Sequence, residues 1–235
     1  MFSAAYAGRR WPGTDVENLL FNNIDQTLLL FRSVGTKGVR FQDLGLDPPP
    51  DPSGRVRAAY WRYELTDAAT AFHGVRLGPV ACEIAMTDLR ALSARLAARI
   101  WLAVRIARPR DYTPVLAPHG YALRAQVRGL DPGTTIKAIV DGASAALQGV
   151  SRPDLHDEAT TRLARLLEAD RAEIRSLIDS AGAPLGPAEQ LFVLDGTDQV
   201  RITPDDHRCL AAEVLAGPDG GSSQLAIDLY PAFAE

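Results

Sequence analysis

The chain has 235 residues, of which 46% are hydrophobic and 23% are charged, and its formal net charge is −4. These values are typical of a globular protein with its own core, and they exclude a disordered or fibrous chain. Its apolar runs are far shorter than the roughly 20 residues that a membrane-spanning helix needs, and its first residues lack the charge order of a signal peptide. We therefore expect a cytoplasmic protein that has no membrane partner.

Cysteine content and charge exclude two further classes of protein. Cys82 and Cys209 lie far apart, and neither has a second Cys or a His at metal-ligand spacing, so we expect buried thiols instead of a zinc site. The negative net charge argues against a surface that is basic throughout, although a local patch for nucleic acid stays open. Abundant Ala, Arg, Gly and Pro with few Lys favour a bacterial source with a GC-rich genome.

The chain begins with a predicted strand over residues 2–8, followed by a turn and an amphipathic helix over residues 15–31. Thr14 or Asp15 is the expected N-cap of this helix, and Thr14 with Glu17 has the spacing of a capping box. Asp15 and Asp25 fall together on the polar side of the helix. The proline-rich segment 43–54 predicts a rigid surface loop, because consecutive prolines fit neither a helix nor a central strand.

The middle of the chain predicts two strands and the strongest helix. Aromatic and β-branched residues between turn signals favour strands over residues 55–65 and 80–86. A helix is expected over residues 87–108, where Pro109 ends it. Its predicted inner stripe consists of Leu89, Leu92, Leu96, Ile100, Ala103, Val104 and Ala107.

The rest of the chain continues with mixed elements. An alternating strand over residues 121–128 precedes a helix that opens after the turn at 131–133, and a single long helix is predicted over residues 157–180. Three more strands are expected over residues 191–194, 209–215 and 224–230. Because strands and helices do not alternate strictly, we predict one α+β domain over residues 1–235, with a mixed or antiparallel sheet covered by several amphipathic helices.

Two strand-to-helix junctions resemble each other and indicate an internal pseudo-repeat. Alignment of the segment that starts at Asp15 with the segment that starts at Asp131 also matches Asp25 with Asp141. A second register, which aligns the two Pro-Gly-Thr turns, competes with the first. Duplication would place the junction of the two halves near residues 110–120, and shared strand-turn-helix chemistry is the alternative explanation.

The same two segments resemble the acidic helix-start motif of Holliday-junction resolvases of the RusA type. The run Asp15-Val16-Glu17-Asn18-Leu19 is similar to its first half, and Asp25 matches its final acid. Lys137 and Asp141 are similar to its second half, with Asp131 at the first acidic position. The segment 147–158 resembles the acidic turn that follows this helix in the family, which makes Asp154 and Asp157 candidates. Phe21 stands where the family has lysine, and Gly133 and Thr134 replace the second acid and the asparagine.

This resemblance implies a nuclease chemistry that uses Mg²⁺. Carboxylates would hold the hard cation, which polarises a phosphodiester and activates water, while a lysine offsets phosphate charge. The implied catalytic residues are Asp15, Glu17, Asp131, Lys137 and Asp141, and the implied metal ligands are Asp15, Glu17 and Asp25. Such a site would be composite, because the acids and the lysine lie in different segments. The alternative is that the acids cap a helix and that Lys137 and Asp141 form an ordinary i,i+4 pair.

Two further clusters have both a functional and a structural explanation. Asp205, Asp206 and His207 offer metal ligands and a general base, but a proline followed by two acids is also typical of a turn between strands. Arginines lie near Trp61 and Tyr63 and near the end of the 87–108 helix. In a nucleic-acid interface they would contact phosphates, and the aromatic rings would stack on bases. The alternative is structural: the arginines near the helix end interact with its C-terminus, and those near Trp61 and Tyr63 protect an edge strand. These candidate nucleic-acid-binding residues are Arg57, Arg62, Arg105, Arg108 and Arg110.

Two functions are consistent with these patterns. The first is a scaffold or partner-binding subunit, with a protein partner or a second copy of the chain, because the sequence supplies surfaces more readily than a catalytic set. The alternative is a divergent RusA-like nuclease or resolvase acting on nucleic acid, of the kind found in defence systems or mobile elements. Its cofactor would be Mg²⁺.

Melting experiments on the first helix separate the two roles of its acids. If Thr14 and Asp15 cap the helix, Thr14→Ala combined with Asp15→Ala should cost about 1 kcal/mol and lower the melting temperature by several degrees. Carboxylates clustered for a metal repel one another without it, so Asp15→Asn or Glu17→Gln would then leave stability unchanged or raise it in the absence of Mg²⁺. Thermal melts with and without Mg²⁺ measure the difference. Stabilised variants that lose a metal-induced shift present in the parent would contradict the capping role.

Overall fold

The computed structural model describes residues 3–8, 38–45, 59–65, 78–83, 93–108, 120–128, 132–180, 183–194, 196, 199–205, 208–216 and 224–231. Four α-helices are found in these ranges: α1 (Ser93–Ala107), α2 (Pro132–Ala146), α3 (His156–Leu167) and α4 (Arg171–Asp179). The strands are β1 (Ser3–Gly8), β2 (Gly38–Gly45), β3 (Ala59–Leu65), β4 (Gly78–Glu83), β5 (Tyr121–Arg128), β6 (Gly149–Val150), β7 (Pro187–Ala188), β8 (Phe192–Leu194), β9 (Val200–Ile202), β10 (Cys209–Ala216) and β11 (Gln224–Pro231). The predicted helix over residues 15–31 lies outside the described ranges.

Seven strands form one mixed sheet in the order β1-β3-β2-β10-β5-β11-β4. Every neighbouring pair is antiparallel except β10 and β5, which run parallel. Helices and a mixed sheet within one chain confirm the predicted α+β class. Two short ribbons, β6 with β7 and β8 with β9, lie outside this sheet.

Strand β2 lies near the middle of the sheet, in a segment where the sequence pattern did not predict a strand. Its last three residues, Asp43 to Gly45, belong to the strand, so the predicted loop over 43–54 begins too early. The segment does alternate, with Val39 and Phe41 buried and Gln42 exposed. Strand β2 pairs with β3 on one side and with β10 on the other, and β10 is distant in the sequence.

One face of the sheet packs against α1 and α2. Along β5 the residues Tyr121, Leu123, Ala125 and Val127 alternate into the hydrophobic core, as the period of a strand requires. The Tyr121 hydroxyl donates a hydrogen bond to the Ser144 Oγ of α2 at 2.8 Å, and both groups are buried. This bond fixes the position of α2 over the parallel strand pair.

Helices α1 and α2 cross where α2 carries Gly142. A Cβ at Gly142 would lie 2.6 Å from the carbonyl oxygen of Ala97 and 2.8 Å from the Cβ of Ile100, both on α1. The absence of a side chain therefore permits the backbones to approach closely.

The buried face of α1 differs from the predicted stripe. Leu96, Ile100 and Val104 are buried as expected, but Ala107 is exposed and Trp101 is fully buried. Trp101 packs edge to face against Phe192, with ring centroids 6.0 Å apart. The buried face differs because α1 packs against α2, β4, α3 and β9, and is therefore covered on more than one side.

The single helix predicted over residues 157–180 is wrong, because the chain breaks into α3 and α4. Glu168 ends α3 in the left-handed conformation at φ 54° and ψ 40°. The Asp170 side chain then caps α4 by accepting hydrogen bonds from the Ala172 and Glu173 backbone N–H groups at 2.8 and 3.0 Å. The apolar period continues through the break, since Leu163, Leu167, Ile174 and Ile178 are all buried, and periodicity alone therefore misses it.

None of the helices in the described ranges combines the length and apolar character that crossing a membrane requires.

The break between α3 and α4 depends on the Asp170 cap. Asp170→Ala removes both acceptor bonds and should lower the free energy of unfolding by about 1 kcal/mol. Asp170→Asn is the matched control, because asparagine caps a helix nearly as well as aspartate. Chemical denaturation of the three proteins measures the effect. Equal stability of the alanine variant and the parent would show that the Asp170 cap does not stabilise the break between α3 and α4.

Candidate functional site

Arg105 and Arg108, two of the predicted nucleic-acid contacts, lie in the core with exposed fractions of 4% and 7%. Arg105 donates to the Gln148 carbonyl oxygen at 2.5 Å and to Ser180 Oγ at 3.2 Å. Arg108 donates to the Ala146 carbonyl oxygen at 3.3 Å and to the same Ser180 Oγ at 3.4 Å. The two arginines therefore bind the C-terminal end of α2, where a helix has unpaired carbonyl groups and favours cations.

The burial of Arg105 has an electrostatic consequence. Desolvation, and to a smaller extent the positive charge of Arg108, lowers the pKa of the Arg105 guanidinium to about 9. Its Cζ lies 5.8 Å from the ring centroid of Trp101, a cation–π contact that offsets part of the desolvation. Because this pKa is depressed, the unfolded chain retains the proton to a higher pH. The contribution of Arg105 to stability therefore rises as the pH increases above about 9.

This placement corrects the predicted arginine patch. Burial of Arg105 and Arg108 keeps phosphate groups away from both guanidinium groups, and their contacts match the structural alternative of cations at a helix C-terminus, in this case the C-terminus of the neighbouring helix. Arg62 lies in β3, and its side chain lies outside the part of the chain that the structure describes. Arg57 and Arg110 lie outside the described residues.

Lys137 and Asp141 form an i,i+4 ion pair on α2, with the Lys137 Nζ 3.2 Å from the Asp141 Oδ1. The lysine side chain is 40% exposed and the aspartate side chain 14% exposed. This geometry matches the alternative in which Lys137 and Asp141 form an ordinary i,i+4 ion pair on one helix. Their expected partners Asp15, Glu17, Asp25 and Asp131 lie outside the described residues, so the composite site stays a prediction.

The acidic turn after α2 is bound to arginines. Asp154 accepts two hydrogen bonds from Arg152, at 2.9 and 2.7 Å. These hydrogen bonds are the main cause that lowers the pKa of the Asp154 carboxyl. The Asp157 carboxylate accepts from Arg175 Nη1 at 2.5 Å. Within the described ranges, no three His, Cys, Asp or Glu side chains come together to hold a metal ion.

Arg175 also connects the two ends of the α3–α4 hairpin. Its Nε donates to Asp179 Oδ2 at 2.5 Å, and this bond is the main cause that lowers the pKa of the Asp179 carboxyl. His156 Nδ1 lies 2.9 Å from Asp179 Oδ1. The first turn of α3 is thereby joined to the last turn of α4, which gives this polar cluster a structural role.

The start of the turn segment, at Asp205, is held by Gln148, which follows α2, and by Glu189, which follows β7. The Gln148 side chain accepts from the Asp205 backbone N–H at 2.9 Å and donates to the Asp205 carbonyl oxygen at 3.3 Å. The Asp205 carboxylate accepts from the Glu189 backbone N–H at 3.0 Å. These contacts fit the predicted turn, while Asp206 and His207 lie outside the described residues. Cys209 is buried as expected, and its thiol donates a hydrogen bond to the Ala211 carbonyl oxygen at 3.4 Å.

A charged group that the sequence analysis missed lies on the sheet face away from α1 and α2. Glu213 of β10 has an exposed fraction of 0%, and its two carboxylate oxygens accept from Arg40 Nε and Arg124 Nε, each at 2.8 Å. In the strand register Glu213 lies directly between these arginines, and the row continues to Glu64 on β3 and Asp228 on β11. We call this alternation of charge over five strands the charged row.

The two outermost strands of the described sheet, β1 and β4, differ in composition. Strand β4 contains Pro79 and ends at Glu83, which are residue types that discourage pairing at an edge. Strand β1 has the sequence SAAYAG, with neither a charge nor a proline. Its backbone pairs on one side with β3. An edge of this kind is a template for another strand.

Comparisons with known proteins add no family to this description. The chain matches no protein-family model, no curated protein and no solved structure.

Glu213 should be the most sensitive charge of the described sheet. Glu213→Gln keeps the shape of the side chain but leaves two half-buried arginines without their shared anion. We expect the free energy of unfolding to fall by about 3–5 kcal/mol, as when one partner of a buried ion pair is removed.

Glu158 provides the control, because its side chain is 51% exposed in an i,i+4 pair with Arg162, whereas Glu213 is fully buried. Glu158→Gln should change stability by less than about 0.5 kcal/mol. Chemical denaturation compares both variants with the parent. A Glu213→Gln protein as stable as the Glu158→Gln protein would show that the charged row contributes nothing to the sheet.

Proposed function

We propose that this chain is a partner-binding protein, either a scaffold or a subunit of an assembly, and that it binds an extended protein segment along the side of β1 that, among the described strands, pairs with no other strand. The observation that carries the proposal is the uncharged, proline-free edge strand β1. Strand addition uses main-chain hydrogen bonds for affinity and alternate side chains for specificity.

The chemistry of an edge strand supports this mode of binding. Alternate N–H and C=O groups of β1 point away from β3, since only one side of the strand is used by the ladder. Globular proteins usually protect such groups with lysine, proline or a bulge. Strand β4 has such protection and β1 has none, which favours β1 as the binding edge.

The rest of the sheet supports the proposal by making β1 a rigid template. Strand β1 is paired over six residues with β3, and β3 is paired with β2, whose Arg40 is bound to the buried Glu213. The conformational entropy lost on binding is therefore lost mainly by the partner segment, because β1 is already ordered within the sheet.

The RusA-like nuclease remains a second proposal. One observation favours it: α2 begins at Pro132, shortly after strand β5, and presents Lys137 and Asp141 on one helix face, as the second half of the family motif requires. Mg²⁺ would bind at the acids near the start of the first predicted helix and of α2. The melts of Asp15→Asn and Glu17→Gln with Mg²⁺ test this proposal independently of β1. An internal duplication of the chain also stays a prediction.

Photo-crosslinking tests the edge directly. By register, Ala5 of β1 and Ala81 of β4 share the sheet face of the exposed Gln42 and Gln126, at opposite edges of the sheet. We expect a photoreactive benzoylphenylalanine at position 5 of the full chain to give a covalent adduct with a protein in the native lysate. The same group at position 81 should give none.

A charge in the same strand provides the specificity control. Ala7→Lys introduces the protection that β1 lacks, and it should reduce the adduct from position 5 by about tenfold or more. Circular dichroism of the variant checks that the fold is retained. Equal adducts from positions 5 and 81, or an adduct that persists unchanged with Ala7→Lys, would reject strand addition at β1.

A further inference from the structure

We infer that Trp101 and Arg105 of α1 form a buried binding site for a small monovalent anion, of which chloride is the simplest. Two N–H groups point to the site: Trp101 Nε1 and Arg105 Nε are buried, and neither has a hydrogen-bond acceptor in the described part of the chain. Trp101 is fully buried and Arg105 is 4% exposed. Both groups are donors only, so a ligand that satisfies them must be an acceptor.

The two donors belong to neighbouring turns of one helix face. Side chains of a helix lean toward its N-terminus, so Arg105 lies over the residue four positions earlier, which is Trp101. The contact confirms this placement, because Arg105 Cζ is 5.8 Å from the ring centroid of Trp101. One acceptor beside these two turns would then receive hydrogen bonds from both N–H groups.

Charge decides between a neutral acceptor and an anion. The described partners of the Arg105 guanidinium, the Gln148 carbonyl oxygen and Ser180 Oγ, are both neutral. Arg108 donates to the same Ser180 Oγ and brings a second positive charge close to the first. The α2 dipole supplies about half a negative charge at its C-terminus, and the two arginines share it. A water molecule would satisfy the N–H groups without balancing the Arg105 charge, whereas an anion does both.

The protonation of Arg105 supports this argument from geometry. Burial first, and then the charge of Arg108, lowers the pKa of the Arg105 guanidinium to about 9. A negative charge in contact with the guanidinium would act in the opposite direction, because it favours the protonated form. The partners within the described chain therefore leave part of the Arg105 charge unbalanced.

Burial also restricts the kind of anion. Ser180, which both arginines contact, is an exposed residue, so the site lies close to the surface and a small ion has a short path to it. A monatomic ion accepts from donors on several sides and needs no fixed orientation. A divalent anion would lose far more hydration on burial, which one guanidinium does not repay.

Melting in two salts tests the site. Chloride and fluoride at equal ionic strength are compared, because fluoride is more strongly hydrated and enters a buried site less readily. At about 0.2 M, roughly five times the dissociation constant that we expect, chloride binding should raise the melting temperature by about 2–4 °C. The measured quantity is the melting temperature in chloride minus that in fluoride, which we expect to be higher by this amount in the parent than in variants that lack the site.

Two variants remove one donor each. Trp101→Phe removes the indole N–H and keeps an aromatic ring against Phe192. Arg105→Lys keeps the positive charge and removes the Nε–H. Both should lose the chloride-specific shift, while Arg95→Lys, on the same helix with a side chain that is 37% exposed, should retain it. Each variant is compared with itself in the two salts, so a lower basal stability does not mask the result.

Bromide locates the ion in crystals of the full chain, because it replaces chloride and scatters anomalously. We expect an anomalous peak in contact with both Arg105 Nε and Trp101 Nε1. A parent with the same salt response as Trp101→Phe, or a map with no bromide at this position, would show that a buried water takes these bonds and would overturn the anion site. These measurements do not involve β1, so their failure leaves the proposed function as it stands.

Discussion

The close crossing of α1 and α2 at Gly142 is the contact on which the described core depends. With no Cβ at this position, the α2 backbone reaches the Ala97 carbonyl and the Ile100 side chain of α1. The same approach brings the end of α2 within reach of the Arg105 and Arg108 guanidinium groups. From that end, Gln148 extends to the Asp205 backbone and so holds the turn that leads into β10. The small size of Gly142 thus permits the α1–α2 crossing, the burial of Arg105 and Arg108 at the end of α2, and the contact that holds the turn before β10.

Arginine is used in two ways in this protein, and the difference is set by the partner. At the end of α2 the partners are neutral carbonyl and hydroxyl groups, so burial is only partly offset and the pKa of Arg105 falls. In the charged row, Arg40 and Arg124 share the Glu213 carboxylate, and the negative charge balances their desolvation. Both sites bind groups within the chain. The proposed binding of a protein segment at β1 would instead use backbone groups, because β1 has no charged side chain.

Single strands are more predictable from the sequence than the breaks and pairings between elements. Strands β1, β5, β10 and β11 fall within a residue or two of their predicted bounds, because alternation and turn residues act locally. The α3–α4 break has a local signal, Asp170 followed by Glu173, but an uninterrupted apolar period masked it. Of the candidate site, the i,i+4 pair of Lys137 and Asp141 was foreseeable from spacing alone. Glu213 was not, because Arg40 lies 173 residues away in the sequence and its pairing needs the register of β2 with β10.

By itself, the sequence determined the α+β class, the strand-turn-helix unit of β5 and α2, and the absence of charge along β1. These properties follow from composition, periodicity and spacing, which act over a few residues. Only the tertiary structure decided that Arg105 and Arg108 are buried, since a helical wheel shows a face but not how many sides of the helix are covered. It also decided the order of the described strands, in which β1 is outermost and Glu213 lies between two arginines. Strand order depends on pairing between distant segments, and a local pattern contains no record of which segment will lie beside it.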